Sequence, residues 1–246
     1  MHYQPTVDLG TNRIVGAEAL IRWRSDTHGL VGPDEFIPLV ENTQGIHDLT
    51  WFLLNAVVRQ ISEWDEGSPQ WVALNVSRHN LVHADFIDML TNCLSIWQVD
   101  AGRVLLEVTE SALTGDSATS LKTLGGLRDK GIRIAIDDFG TGYSSMAYLR
   151  ETPVHELKID KSFVQEVEHN KRDREIIKSM VQLAHALGLK IVAEGIESAE
   201  VARIVRSLGC DLAQGYYFGK PMEAADFESY IVAVNRAARA QQQSLA

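Results

Sequence analysis

Cysteine is nearly absent from these 246 residues, and the two present, Cys93 and Cys210, stand far apart and in no paired motif. That scarcity excludes a disulfide framework and a thiolate metal site, and makes a reducing cytoplasm the simplest expected setting. No apolar run reaches the roughly 18 residues of a membrane span, and no charged-then-apolar leader opens the chain, so direct membrane insertion is not expected. Positive charge is scarce too: 23 Lys and Arg stand against 33 Asp and Glu, for a net charge of -10. A sequence-independent grip on nucleic acid needs clustered Lys and Arg, so a nucleic-acid polymer is a poor partner. Also missing are an internal repeat, a Pro/Ser-rich linker and a G-x-G-x-x-G turn that would open a dinucleotide-binding sheet.

The hydrophobic content of 45% is enough to bury a sizeable core, in one large α/β barrel or two small domains. With no linker, a single domain over residues 1–246 is expected. MHYQPTVDL reads as strand from its first residues, as a domain excised from a longer protein would. Residues about 2 to 8 and 14 to 23 flank the turn-like Leu9-Gly10-Thr11-Asn12, which predicts a hairpin entry. Pro33-Asp34-Glu35 reads as a first helical turn, and apolar positions from Ile46 to Trp64 recur at helical spacing. Strands and helices then alternate. Strands are expected at 71–77, 103–108, 132–137, 156–160, 189–194 and 211–214, with helices in the eighties and at 117–130, 144–150, 171–187, 198–208 and 223–239.

Gly131, Gly188 and Gly209 each follow a helical run, where a left-handed cap residue is wanted. Eight strands with intervening helices favour a TIM-type (β/α)8 barrel, with an antiparallel, hairpin-like first strand, over an open doubly wound sheet. Trp51, Trp64, Trp71 and Trp97 read as core or helix-packing residues, and the tail RAARAQQQSLA as a frayed helix end.

The apolar runs end in oxygen donors. Glu18, Asn75, Glu107, Asp137, Asp160, Glu194 and Gln214 fall at or just past them, in GAEALIRW, WVALNVS, VLLEVTE, IRIAIDDFGTG, HELKIDKSF, KIVAEGIES and LAQGYYFG. In a parallel barrel those ends converge on one patch. Two carboxylates about 4 Å apart repel by roughly 4 kcal/mol at an effective dielectric near 20, so the cluster needs cations or must take up protons. Glu18, Asn75, Glu107, Asp137, Asp138, Asp160 and Glu194 are hard ligands with no His or Cys among them, which suits Mg²⁺ or Mn²⁺ rather than zinc. Seven donors exceed what one octahedral ion takes from protein, so two ions are expected, as in two-metal phosphoryl displacement. Lys158, two residues before Asp160, would share its strand face and place an ammonium beside developing negative charge, and Arg22 could hold a phosphate.

Plainer readings stand beside these. Asp160-Lys161-Ser162 could simply cap the next segment, Glu197 could be favourable charge at a helix start, and Lys158 an ion-pair partner. Gly140 and Gly142 serve equally a turn or a loop that must move.

Seven strings in order, EALIRW, LNVS, LEVTES, DDFGTGYSS, LKIDKSFV, AEGIES and QGYYFGKP, span nearly the whole chain and resemble the EAL-domain phosphodiesterases that hydrolyse cyclic di-GMP. The resemblance implies that Glu18, Asn75, Glu107 and Asp137 hold one metal, and Asp137, Asp138 and Glu194 the second, with Asp160 near it. It further implies that Lys158 contacts the bridging water, that Glu18 and Glu194 belong to the catalytic centre, and that Gln4, Arg22 and Gln214 meet the substrate. Glu110 matches the anchor of the loop holding Gly140, Thr141 and Gly142, and Glu197 a supporting acid. Cyclic di-GMP is then the ligand, linear pGpG the product and a homodimer the expected assembly. Ca²⁺ should inhibit, because a larger ion with loose geometry positions the water poorly. An inactive cyclic di-GMP receptor is the alternative.

Overall fold

The computed structural model describes residues 1–64, 69–113, 117–142 and 146–245. The chain opens with β1 (His2–Asp8) and β2 (Arg13–Leu20) as an antiparallel hairpin, in which Asp8 Oδ1 accepts from the Thr11 amide at 2.7 Å and Asn12 takes a left-handed φ of 55°. A small side chain that bonds its own turn explains why Thr-Asn follows Gly here. A short ribbon, β3 (Trp23–Ser25) with β4 (Gly29–Val31), and the helices α1 (Pro33–Val40) and α2 (Gly45–Glu63) come next. The expected strand 14–23 is thus broken. β2 stops at Leu20, and Trp23 enters the ribbon, whose turn runs through Gly29 at φ +71°.

The alternation then follows the expected order: β5 (Trp71–Asn75), α3 (Arg78–Leu81), α4 (Phe86–Trp97), β6 (Val104–Thr109), α5 (Ser117–Asp129), β7 (Arg133–Phe139) and α6 (Met146–Glu151). It closes with β8 (Glu156–Ile159), α7 (Lys161–Gln165), α8 (Lys171–Ala186), β9 (Lys190–Ala193), α9 (Ala199–Leu208), β10 (Leu212–Gln214) and α10 (Ala224–Leu245). The single helix expected in the eighties is two, and α7 was not anticipated. α10 continues to Leu245 where fraying was expected. Tyr143, Ser144 and Ser145 of the DDFGTGYSS string lie outside the described residues. Gly131, Gly188 and Gly209 adopt φ of 86°, 72° and 97°, as their cap positions require.

Eight strands close into a barrel in the order β1-β10-β9-β8-β7-β6-β5-β2, and β1 runs antiparallel to both its neighbours. Outward-facing apolar residues such as Val72, Leu106, Ile134, Leu157 and Ile191 join Leu54, Leu90, Ile177 and Val205 of the helices in the main core. A separate cluster of Trp71, Ala73, Leu105, Ala135, Val192 and Leu212 fills the ring of strands. At one irregular point, the β1 register shift between Thr6 and Val7, α10 reaches across. Asn235 accepts from the Ile14 amide at 2.8 Å and donates to its carbonyl at 3.1 Å, replacing strand partners. Trp64 and Trp71 are buried as expected, but Trp51 is 40% exposed, on the outer face of α2. No helix among the described residues is long and apolar enough to cross a membrane.

Candidate active site at the barrel mouth

Side chains two apart on a strand share a face, so each inward position repeats one level higher in the barrel. At the floor, Arg133 pairs with the buried Glu156 and lies over the Trp71 ring at 5.0 Å. That ring crosses the interior so closely that a Cβ at Gly16 would meet it at 2.4 Å, which only glycine accommodates. One level up are Ala73, Leu105, Ala135, Val192 and Leu212. At the mouth the same alternation places Glu18, Asn75, Glu107, Asp137, Lys158 and Gln214, with Glu194 following β9 directly.

Lys158 is the hub. Its Nζ lies 2.7 Å from Glu194 Oε1, 2.9 Å from Glu107 Oε1, 3.3 Å from Asp137 Oδ1 and 3.8 Å from Glu18 Oε2. Burial would lower its pKa, but Asp137, Glu107, Glu18 and Glu194 outweigh that and hold it well above the ordinary lysine value. One ammonium does not neutralise four acids. Burial pushes Glu107 well above the carboxylate range, with Glu18 and Asp137 adding to the rise against the pull of Lys158. Burial likewise takes Glu194 up to about 7, helped by Asp137 and Glu18 and opposed by Lys158. Glu107 Oε2 is buried with no hydrogen-bond partner among the described residues, an acceptor that costs roughly 1–3 kcal/mol unless something positive meets it.

Amides orient the Glu18 carboxylate. Asn75 donates to Oε1 at 2.8 Å and Gln214 to Oε2 at 2.6 Å. Gln214 also donates to Gln4 Oε1 at 3.2 Å, and Gln4 to the Gly219 carbonyl, both glutamines being buried in this bridge between β1 and β10. Glu18 lies opposite Gln4 in the hairpin register, which is why the antiparallel first strand brings them together.

Asp137 and Asp138 would face opposite ways on a regular strand. Ile136 pairs with Leu157 and Phe139 with Ile159, so two residues of β7 span what one of β8 does, and Asp138 turns into the left-handed region at φ 54°. This bulge re-aims the second carboxylate. Asp137, Asp138 and Glu194 each offer an oxygen within 4.8 Å of the others, a spacing that fits a divalent cation. Burial, then Asp137 and Asp160, raise the Asp138 pKa against the pull of Lys158, and the hydrogen bond that a protonated Asp138 donates to Asp160 adds to the rise. The all-oxygen donors, the excess of acid and the orphaned Glu107 oxygen together suit Mg²⁺ or Mn²⁺.

Other expected residues stand at varied distances from this centre. Asp160 lies past the end of β8 and caps α7, accepting from the Ser162 amide at 3.0 Å, so the plainer reading of it holds at one oxygen. Lys158 shares its strand face with Glu156, and Asp160 follows directly after the last residue of the strand, Ile159. Glu110 Oε2 accepts from the amides of Gly140 at 2.9 Å and Gly142 at 3.1 Å, and Thr141 Oγ1 donates to the Asp138 carbonyl, tying that loop to the bulge. Gly140, at φ +101°, needs to be glycine, and at Gly142 a Cβ would lie 2.9 Å from the Glu110 carboxylate and push it off the amides it binds. Glu197 sits just before the α9 cap Ser198 and lines a cavity of about 270 Å³ with Glu18, Glu194 and Gln214. A larger cavity of about 720 Å³ opens on the other side of Glu18, between Asn75, α1 and α2. Arg22 lines neither and donates to its neighbour's carbonyl, Ile21, at 2.9 Å.

Sequence reasoning missed the Arg133–Glu156 floor pair and Lys161, which lines the smaller cavity. The first was within reach of strand alternation, since Glu156 precedes Lys158 by two. The second carried no signal, sitting beside Asp160 in what reads as a helix start.

The EAL domain family model matches residues 1–221. The chain belongs to the EAL domain family. It is 41% identical over 226 residues, 91% of its length, to the bifunctional diguanylate cyclase/cyclic di-GMP phosphodiesterase MucR of Pseudomonas aeruginosa, of which it covers 33%. The solved PaMucR phosphodiesterase in complex with c-di-GMP superposes with a TM-score of 0.87 at 40% identity, over 92% of both chains. The manganese/cy-diGMP complex of Klebsiella pneumoniae BlrP1 gives 0.80 at 28% identity, over 90% of this chain and 55% of that one. This EAL chain spans about a third of the length of the first curated relatives it matches.

Proposed function

We propose that this EAL domain hydrolyses cyclic di-GMP to linear pGpG. The observation that carries it is the surplus of oxygen donors gathered around one lysine at the barrel mouth, in a chain related to cyclic di-GMP phosphodiesterases. Glu18, Asn75, Glu107 and Asp137 would hold one Mg²⁺ or Mn²⁺ and Asp137, Asp138 and Glu194 a second, with Asp160 supporting Asp138. Ions there supply an activated water and charge neutralisation for an in-line phosphoryl displacement.

The chain's own groups do the rest. Asn75 and Gln214 fix both oxygens of Glu18, so that this carboxylate needs little reorganisation. The Lys158 ammonium, buried and held protonated by its acids, is placed to stabilise negative charge on the attacking oxygen. Water adds to one phosphorus, the bond to the 3′ oxygen breaks, and that oxygen leaves with a proton as a hydroxyl. The two cavities share Glu18, and so offer one nucleoside half of the dinucleotide a place on either side of the reacting phosphate. Arg22 and Gln4 are assigned to substrate contacts, with Arg22 releasing the Ile21 carbonyl to reach a phosphate. A homodimer and a cytoplasmic setting belong to the same proposal.

Incubation with cyclic di-GMP and Mg²⁺, followed by chromatography, tests it. Metal-dependent appearance of pGpG is expected. Tight binding without product would favour a receptor instead.

A further inference from the structure

The smaller cavity beside the acid cluster holds one cation among its lining acids. Lys161, at the start of α7, shares it with Glu18, Glu194 and Glu197, together with Gln165 and Tyr216. Lys161 is exposed, and among the described residues no ion pair engages its ammonium, although three carboxylates line the same cavity. Its stem is nevertheless held in place. Gly195 has φ +69°, and a Cβ there would fall 2.6 Å from the Lys161 Cβ, so the turn after Glu194 packs directly on the lysine.

We propose that Lys161 is a specificity-determining residue, donating to the N7 and O6 acceptor edge of one guanine of the dinucleotide in this cavity. The inference rests on the phosphodiesterase reading above and deepens it. A phosphate would be the obvious partner for an ammonium, but the reading above seats the reacting phosphate at the metal-holding acids Glu18 and Glu194. That leaves Lys161, beside Glu197 and the amide side chains of Gln165 and Gln214, to meet the neutral base that extends into this cavity. Guanine presents two acceptors, N7 and O6, on one edge, to which a lysine donates, and N1–H and N2–H donors on the next, which suit the carboxylate and amide oxygens lining this cavity. Adenine puts an amino group where guanine has O6, so two donors would oppose each other. Tyr216 is 58% exposed at the cavity wall; the Lys220 ammonium lies 5.4 Å from its ring centroid, and an aromatic ring has a second face on which a base can stack.

Equilibrium binding in Ca²⁺, where turnover is expected to be suppressed, tests the assignment with cyclic di-GMP and its 7-deazaguanine counterpart, which lacks the N7 acceptor. Lys161→Met should weaken cyclic di-GMP about tenfold, the size of one charge-assisted hydrogen bond. The 7-deaza ligand should bind the unmodified chain several-fold more weakly than cyclic di-GMP, and Lys161→Met should weaken it clearly less than tenfold. Lys161→Arg, which keeps the donors, should stay within about threefold of the unmodified chain. Equal losses for both ligands in Lys161→Met would put the ammonium on a phosphate and overturn the assignment, and so would no loss at all. Failure of the functional reading looks different: the unmodified chain would bind neither dinucleotide.

Discussion

The two ends of the barrel both bury a cation among carboxylates, and they differ in balance. At the floor, Arg133 meets one acid, Glu156, under the Trp71 ring. Burial raises the Glu156 pKa, but Arg133, Lys190 and Lys158 all pull it back toward the ionised form. At the mouth, Lys158 lies within 3.8 Å of four acids, and Glu107 keeps an oxygen with no hydrogen-bond partner among the described residues. A matched pair completes a structure, whereas an unmatched cluster waits for charge from outside. Removing a partner at the floor should therefore cost stability, and removing one at the mouth should cost activity.

The largest effect expected is on turnover. Glu18→Ala or Asp137→Asn should abolish cyclic di-GMP hydrolysis, a loss of 10³-fold or more on the scale of removing electrostatic stabilisation, while Glu197→Gln costs much less. Equal losses at all three, measured as initial rates, would dissolve the distinction between the acids around Lys158 and the one beside the α9 cap. Next, Glu156→Ala should destabilise the fold by about 3 kcal/mol, because it strands a largely buried guanidinium. Denaturant melts would show it, and the rate per folded molecule should stay near that of the parent. A large rate loss there would mean that the floor is part of the chemistry.

The mouth half of this contrast was legible beforehand, and the floor pair was not. Strand alternation and polar strand ends gave the barrel, its antiparallel entry and the convergence of Glu18, Asn75, Glu107, Asp137, Lys158 and Gln214, since each follows from period-2 geometry and parallel order. The bulge at Asp138 was not legible, because a local shift against β8 is a tertiary event with no period of its own. The β3–β4 ribbon hid behind a run that continues apolar through Ile21 and Trp23, and Trp51 faces outward on a helix whose stripe was read too broadly. Asp160 carried two compatible signals, cap and ligand support, and the geometry shows the cap at one oxygen and the approach to Asp138 as well.

A smaller effect separates the ends thermally. Mg²⁺ at about 100 times its dissociation constant should stabilise the fold by about 2.7 kcal/mol, or roughly 5–10 °C in Tm for a chain of this length. Glu156→Ala should lower Tm while leaving that Mg²⁺-induced rise intact, and Asp137→Asn should shrink it. The smallest effect is its pH dependence. Glu194 is raised from 4.5 to about 7 in the metal-free fold, so its contribution to metal-free stability is full below about 4.5 and is lost as pH rises through about 7. Metal requires the ionised form. The Mg²⁺-induced rise in Tm should accordingly grow between pH 6 and 8, and a rise that stayed flat or fell would contradict the burial of Glu194 in the metal-free cluster.

Counting bound Mn²⁺ by electron paramagnetic resonance tests the unmatched charge at the mouth most directly. Two ions per chain are predicted for the parent and for Glu156→Ala, with loss of at least one in Asp137→Asn. Binding that is weak, non-stoichiometric and indifferent to Asp137 would contradict the account.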